Sequence, residues 1–158
     1  MNLLSLRLSY RIAETKFRPD IEDSVRQIFD AELGTSYVYP VAVSFKTTGR
    51  WSDPLFMIYD TGATVTLLPA RYADTFEVKK SVPIVLGGIV PSAQLKASLA
   101  RLTLRFEDIN GETSPDIQTG TAIAKRDDVP PVLGMKDVAA THKLVVSPKE
   151  SKFYLEFL

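Results

Sequence analysis

Apolar and polar residues alternate along much of the chain, which is the pattern of β-strands that bury one face. The alternation is clearest in residues 4–12, 41–45 and 117–123. Further strand-like runs lie at residues 82–86, 95–106, 144–146 and 153–157. Residues 55–59 are instead almost continuously apolar, which is typical of a strand buried on both faces. The pattern therefore predicts a mostly-β fold.

Two segments carry helical signals. Asp20 stands at the N-cap position before an amphipathic pattern over residues 21–29. Pro69 suits the first turn before a short helix over residues 72–76. We therefore expect an N-terminal strand-helix extension over residues 1–34, packed on a main domain that covers residues 35–158.

The composition describes an ordinary globular domain. Of the 158 residues, 45% are hydrophobic and 24% are charged, so the chain is neither disordered nor membrane-like. Nineteen basic residues balance nineteen acidic ones, and we expect no nucleic-acid partner and no membrane surface. Cysteine is absent, which excludes disulfides and thiol chemistry. Residues 1–10 lack an apolar run long enough for a secretory signal, which predicts a cytoplasmic location.

Asp60 is the residue that most needs a chemical explanation. It follows the apolar run of residues 55–59 directly, and a carboxylate at such a place needs hydrogen-bond donors or a shared proton. Gly62 suggests a tight backbone, and Thr61 offers a hydroxyl group. The simplest alternative is a strand-to-turn Asp-Thr-Gly in which Asp60 only caps the turn.

Residues 60–69, Asp-Thr-Gly-Ala-Thr-Val-Thr-Leu-Leu-Pro, resemble the active-site loop of the aspartic proteases and are most similar to the retropepsin branch. Asp60 matches the catalytic acid, and Thr61, Gly62 and Ala63 match the residues that support it. A second stretch, Val132-Leu133-Gly134, is similar to the hydrophobic-hydrophobic-Gly element that threads beside that loop. The resemblance implies a closed barrel with one or two short helices, the second of them over residues 136–140.

The resemblance also implies a flap, a hairpin that closes over the substrate. Its place in this chain is taken by Gly87, Gly88, Ile89 and Val90. Adjacent glycines allow backbone conformations that other residues resist, and Ile89 and Val90 are unusually apolar for an exposed turn. A plain hairpin whose apolar tip packs on its own sheet fits the same residues.

The chain has one such acid loop, whereas pepsin-like enzymes have two. The resemblance therefore implies a homodimer in which two Asp60 carboxyls activate water and hydrolyse an extended polypeptide substrate without a cofactor. It further implies that Thr61 braces the loops across the two-fold axis and that terminal strands interlock between subunits. Asp127 and Asp128 lack a third ligand, so no metal site is assigned.

Two alternatives to the protease stay open. One is a non-proteolytic module of the same fold that binds peptides or dimerises. The other is a chance motif on an unrelated mostly-β scaffold, which predicts a stable monomer. His142, the only histidine, has no nucleophile motif beside it and is expected to have a surface or capping role.

Overall fold

The computed structural model describes residues 4–7, 11–12, 37–38, 40–87, 93–108, 110–147 and 152–157. Strands make up 55% of the structure and helices 7%, which confirms the mostly-β prediction. The strands are β1 (Leu4–Arg7), β2 (Arg11–Ile12), β3 (Tyr37–Val38), β4 (Pro40–Thr47), β5 (Arg50–Trp51), β6 (Leu55–Tyr59), β7 (Thr66–Leu68), β8 (Val82–Gly87), β9 (Gln94–Glu107), β10 (Ile117–Ala124), β11 (Val132–Leu133), β12 (His142–Ser147) and β13 (Lys152–Phe157). The helices are α1 (Tyr72–Thr75) and a 3-10 helix (Ala139–Thr141).

Six strands close into a barrel. Their order around the wall is β4-β6-β11-β7-β10-β9, and a second pairing of β4, with β9, completes the ring. Strands β5 and β8 extend this sheet at its two ends. The closed barrel agrees with the predicted fold class.

The barrel interior is filled by alternate residues of the wall strands, because successive side chains of a strand point to opposite faces. On β4, Val41, Val43 and Phe45 are fully buried, and Phe106 and Leu104 of the neighbouring strand β9 are buried beside Val43 and Phe45 on the same face. Burying one such side chain stabilises the fold by about 1.5 to 3 kcal/mol. The alternation read from the sequence is therefore the periodicity of the barrel wall.

Strand β6 corrects one prediction. The run of residues 55–59 was expected to be buried on both faces, but only Met57 and Tyr59 are buried, and Phe56 is 65% exposed. The reason is that β6 lies in the wall of the barrel between β4 and β11, so its second face points outward. Phe56 and Ile58 lie on that outer face.

A three-stranded sheet in the order β1-β13-β12 packs against the barrel. Its inner face contributes Leu155 and Phe157 to the core, and Leu144 and Val146 pack against that core. The hairpin expected from residues 144–146 and 153–157 is confirmed. The predicted helix over residues 21–29 and the domain boundary at residue 34 lie outside the described residues.

The helices near the candidate site agree only in part with the sequence. Helix α1 lies where a helix was predicted. The helix expected over residues 136–140 is instead a 3-10 turn over Ala139–Thr141. Asp137 has φ of 64°, a left-handed conformation that interrupts a right-handed helix at that residue. In the described part of the chain, no helix has the length and apolar character needed to cross a membrane.

Candidate active site

Asp60 lies immediately after β6, where a second strand crosses beside it. Strand β11 pairs in parallel with β6, placing Val132 opposite Ile58 and Leu133 opposite Tyr59. The same Val132 pairs in the antiparallel direction with Leu67 of β7. Strand β11 therefore lies between the two strands that enter and leave the acid loop.

The backbone of this crossing strand holds Asp60 in place. The Asp60 N–H donates to the carbonyl oxygen of Leu133 at 3.1 Å. Within the loop, the Gly62 N–H donates to Asp60 Oδ1 at 2.8 Å, and the Ala63 N–H donates to the Asp60 carbonyl at 3.2 Å. A Cβ on Gly62 would lie 3.3 Å from Asp60 Oδ1, closer than most carbon-oxygen contacts. The loop thus fixes the direction of the carboxyl group with a backbone donor.

Gly134 explains why glycine follows Val132-Leu133. A Cβ at this position would lie 2.3 Å from the carbonyl carbon of Val65 and 2.7 Å from the nitrogen of Thr66. These are backbone atoms that cannot rotate away, so only glycine allows the two segments to approach this closely. The Gly134 N–H also donates to Thr66 Oγ1 at 3.1 Å.

Two further hydrogen bonds fasten the far side of the loop. The Met135 N–H donates to the carbonyl of Ala63, and the Lys136 N–H donates to the carbonyl of Thr64, both at 2.8 Å. The acid loop is therefore held along its length by the segment that follows β11. Such fixation is what a preorganised acid requires, because a carboxyl group that is already oriented costs little reorganisation during reaction.

The surface beside Asp60 is apolar. Ile58 and Val132, which face each other across β6 and β11, are half-buried, and Phe56 extends the same outer face. Thr61 and Gly62 are exposed at the end of the loop. Two cavities of about 470 and 310 Å³ open elsewhere, around Phe76 with Arg101 and around Trp51 with Tyr72, and neither includes Asp60.

No protein-family model matches this chain. No curated protein matches it either. The interpretation of the site therefore depends on its residues and geometry.

One of the four flap candidates lies within the described residues. Gly87 is the exposed last residue of β8, opposite Gln94 of β9, whereas Gly88, Ile89 and Val90 lie outside the described residues. The hairpin that leads to them has one apolar face, formed by the cross-strand pairs Val82 with Leu99, Ile84 with Ala97 and Leu86 with Leu95. The hairpin is present, and its role as a flap stays a prediction.

The two adjacent acids at residues 127 and 128 have structural partners. Asp127 Oδ1 accepts the backbone N–H of Arg71 at 2.7 Å, which joins the start of α1 to this loop, and Asp128 pairs with Arg126. In the described residues, no group of three or more His, Asp or Glu side chains is arranged to hold a metal ion.

A contact that the sequence did not reveal lies on the inner side of β6. Tyr59 Oη is 2.7 Å from His142 Nε2, although 83 residues separate them in sequence. His142 was expected to have a surface or capping role. It is the C-cap residue of the 3-10 helix, which agrees with the capping alternative, and it is half-buried because it starts β12 against the barrel wall. Burial lowers the pKa of His142 to about 4 and raises the pKa of Tyr59 to about 12. The only available signal was that a lone histidine precedes a strand.

Proposed function

We propose that the chain is one subunit of a homodimeric aspartic endopeptidase of the retropepsin-like type, with Asp60 as the catalytic acid. The observation that supports this most strongly is the crossing of β11 between the strands that flank Asp60, with Gly134 against the loop backbone. A turn that only needed a capping acid would not require a second strand whose backbone carbonyl accepts the Asp60 N–H and whose glycine packs against the loop.

In the proposed reaction, two Asp60 carboxyls meet on a two-fold axis and share one proton, because like charges at close range do not both ionise readily. The carboxylate takes a proton from water, whose oxygen attacks the peptide carbonyl carbon. The protonated carboxyl gives its proton to the carbonyl oxygen. The C–N bond then breaks as the amine takes the first proton, and the second carboxyl recovers its proton from the tetrahedral intermediate.

The proposed substrate is an extended polypeptide with apolar side chains next to the cleaved bond. Ile58 and Val132 border Asp60 and would contact such a side chain, and exposed Phe56 would continue the contact. An extended chain can also form main-chain hydrogen bonds with the hairpin of β8 and β9. These features favour a locally unfolded substrate.

The proposed dimer would use the edge of β12. Strands β1 and β13, the expected interlocking segments, pair with each other inside one chain. In the described residues β12 pairs only with β13, and its other edge is open beside half-buried Leu144 and Val146. An exposed strand edge of this kind can pair with a second copy. By the resemblance, exposed Thr61 would lie near the axis of this dimer.

The test is cleavage of an unstructured peptide mixture between about pH 3 and 7, with products identified by mass spectrometry. Asp60→Asn should abolish cleavage, because it keeps the size of the side chain and removes the shared proton. Asp53→Asn, at an exposed position away from the acid loop, is the matched control and should cut normally. Circular dichroism at each pH would show that the protein remains folded.

Sedimentation at several concentrations completes the test. A dimer that cuts through Asp60 supports the protease. A folded dimer that never cuts would instead support the non-proteolytic binding module, and a stable monomer at all concentrations would support the chance motif.

A further inference from the structure

The inner side of β6 carries a hydrogen-bonded pair that the proposed chemistry does not use. Tyr59 is the residue immediately before Asp60, and its ring is buried. Its hydroxyl meets His142 Nε2 at 2.7 Å. The imidazole lies among three aromatic rings from three strands, with centroid distances of 5.8 Å to Tyr59, 5.5 Å to Phe106 and 5.1 Å to Phe157.

The protonation state of His142 follows from hydrogen-bond accounting. Thr141 has one hydroxyl proton, and it donates that proton to the carbonyl of Val138 at 2.7 Å. At 2.8 Å from His142 Nδ1, the same oxygen must therefore accept, so Nδ1 carries a proton. His142 Nε2 is then free to accept the hydroxyl proton of Tyr59. All three side chains are satisfied when the imidazole is neutral.

These bonds close a circuit around the acid loop. From Tyr59 the path runs through His142 and Thr141 to Val138, whose N–H donates to the carbonyl of Met135 at 3.2 Å. The Met135 N–H returns to the carbonyl of Ala63 at 2.8 Å, inside the loop. The loop is thus held at its start through a side chain and at its end through the backbone.

Protonation of His142 would destabilise this circuit at one point. An imidazolium carries protons on both nitrogens, so Nε2 would have to donate to Tyr59 Oη, and the hydroxyl proton of Tyr59 would lose its acceptor. In the described residues, the groups that face the ring are Tyr59 from β6, Phe106 from β9, Phe157 from β13 and Thr141 from the 3-10 helix, and none is charged. On β13, Glu156 pairs with Lys143, and the strand alternation places both on the opposite face of the sheet. The cation would have no counter-charge there.

We propose that Tyr59 and His142 form a positioning clamp for Asp60, and that protonation of His142 releases the clamp and limits activity on the acid side. This regulation rests on the proposed function for its effect on catalysis, whereas the clamp itself can be tested without any activity. Tyr59 and His142 are positioning residues, because they act on Asp60 through the backbone of β6. Burial of the imidazole, which lowers its pKa to about 4, agrees with a clamp that stays closed at neutral pH.

The first experiment follows the clamp by NMR. Because the chain has a single histidine, one set of imidazole signals reports its titration. The protection factors of the Asp60, Gly62 and Ala63 amides, which correct the exchange rates for their intrinsic pH dependence, should fall about five- to tenfold as His142 becomes protonated, the factor expected for loss of one hydrogen bond. Tyr59→Phe should cause the same fall at neutral pH. Tyr72→Phe is the matched control, since its hydroxyl has no hydrogen bond within the described part of the chain.

The second experiment follows activity. His142→Gln keeps a neutral acceptor for Tyr59 but cannot titrate, so kcat should persist about one pH unit further into acid than in the wild type, with KM unchanged. His142→Phe fills the aromatic site without an acceptor and should lower kcat at every pH. Rescue by Gln but not by Phe is the result that a purely structural role would not give.

The outcomes separate the two proposals. Loop amides whose protection factors are the same above and below the His142 titration would overturn the clamp, whether or not the protein cuts peptides. If exchange follows the titration but the folded wild-type dimer cuts nothing, the clamp stands and the protease is refuted. An acid limit of kcat that is identical in the wild type and His142→Gln would refute the control of activity by His142.

Discussion

Replacing Gly134 by alanine tests whether the close approach of β11 to the acid loop holds this site together. The added Cβ would lie 2.3 Å from the carbonyl carbon of Val65, whereas ordinary contacts begin at 3.4 Å, so the segments must separate by about 1 Å. Four hydrogen bonds span this approach: Asp60 N–H to Leu133, Gly134 N–H to Thr66, Met135 N–H to Ala63 and Lys136 N–H to Thr64. Each is worth about 1 kcal/mol, so their partial loss together with the strain of overpacking should lower the free energy of unfolding by about 3 to 5 kcal/mol.

The assay is urea unfolding followed by circular dichroism, with the wild type and Gly134→Ala compared at neutral pH. The free energy of unfolding of such a domain is about 5 to 15 kcal/mol in total, so the variant should be severely destabilised but should still show a measurable unfolding transition. If it is too unstable to purify, thermal unfolding in cell lysate gives the same comparison.

Gly120→Ala is the matched control. It lies in the barrel wall on β10, and a Cβ there would meet its nearest atom, Leu99 Cδ1, at 3.7 Å. We expect a change within about 1 kcal/mol of the wild type. Equal stability of Gly134→Ala and Gly120→Ala would refute the close approach, and with it the main support for the proposed site.

Two further predictions concern pH and the dimer. Burial lowers the pKa of His142 to about 4 from an ordinary 6.5, so the unfolded chain binds more protons between these values. The free energy of unfolding is therefore highest above about pH 6.5 and falls as the pH is lowered toward 4. The loss is at most about 3 kcal/mol, and it is smaller than this limit because the ring is only half-buried. Urea midpoints at several pH values should show this slope in the wild type and a smaller one in His142→Phe; parallel slopes would contradict it. Thr61→Ala should leave monomer stability within about 0.5 kcal/mol, since Thr61 is exposed, but weaken the dimer about tenfold in sedimentation. Thr64→Ala, exposed in the same loop, is the control, and equal dimer constants for both variants would argue against Thr61 at the axis.

Prediction from the sequence succeeded where a local rule decides the structure. Val41, Val43 and Phe45 alternate because a wall strand buries every second residue, and this period is visible without a fold. It went wrong on β6, because an apolar run cannot report which strands will flank it. Phe56 is apolar and yet exposed, since the barrel closed with that face outward.

Near the candidate site, too, local sequence predicted some features and missed those that depend on tertiary contacts or unusual backbone conformations. The Asp-Thr-Gly-Ala stretch and the glycine after Val132-Leu133 stood out as motifs, and the structure brings these two segments together. The expected helix after them was wrong in type and position, because the left-handed backbone of Asp137 interrupts it. No local pattern encodes that conformation at an aspartate.

By itself, the sequence determined the mostly-β class, the strand periods, the acid at the end of β6 and the need for glycine beside it. These features depend on side-chain type and on neighbours within a few residues. Only the tertiary structure decided that Tyr59 would meet His142 from 83 residues away and that β11 would lie between β6 and β7. The physical reason is that closure of the barrel fixes long-range contacts, and their energies depend on distances that no periodic pattern contains.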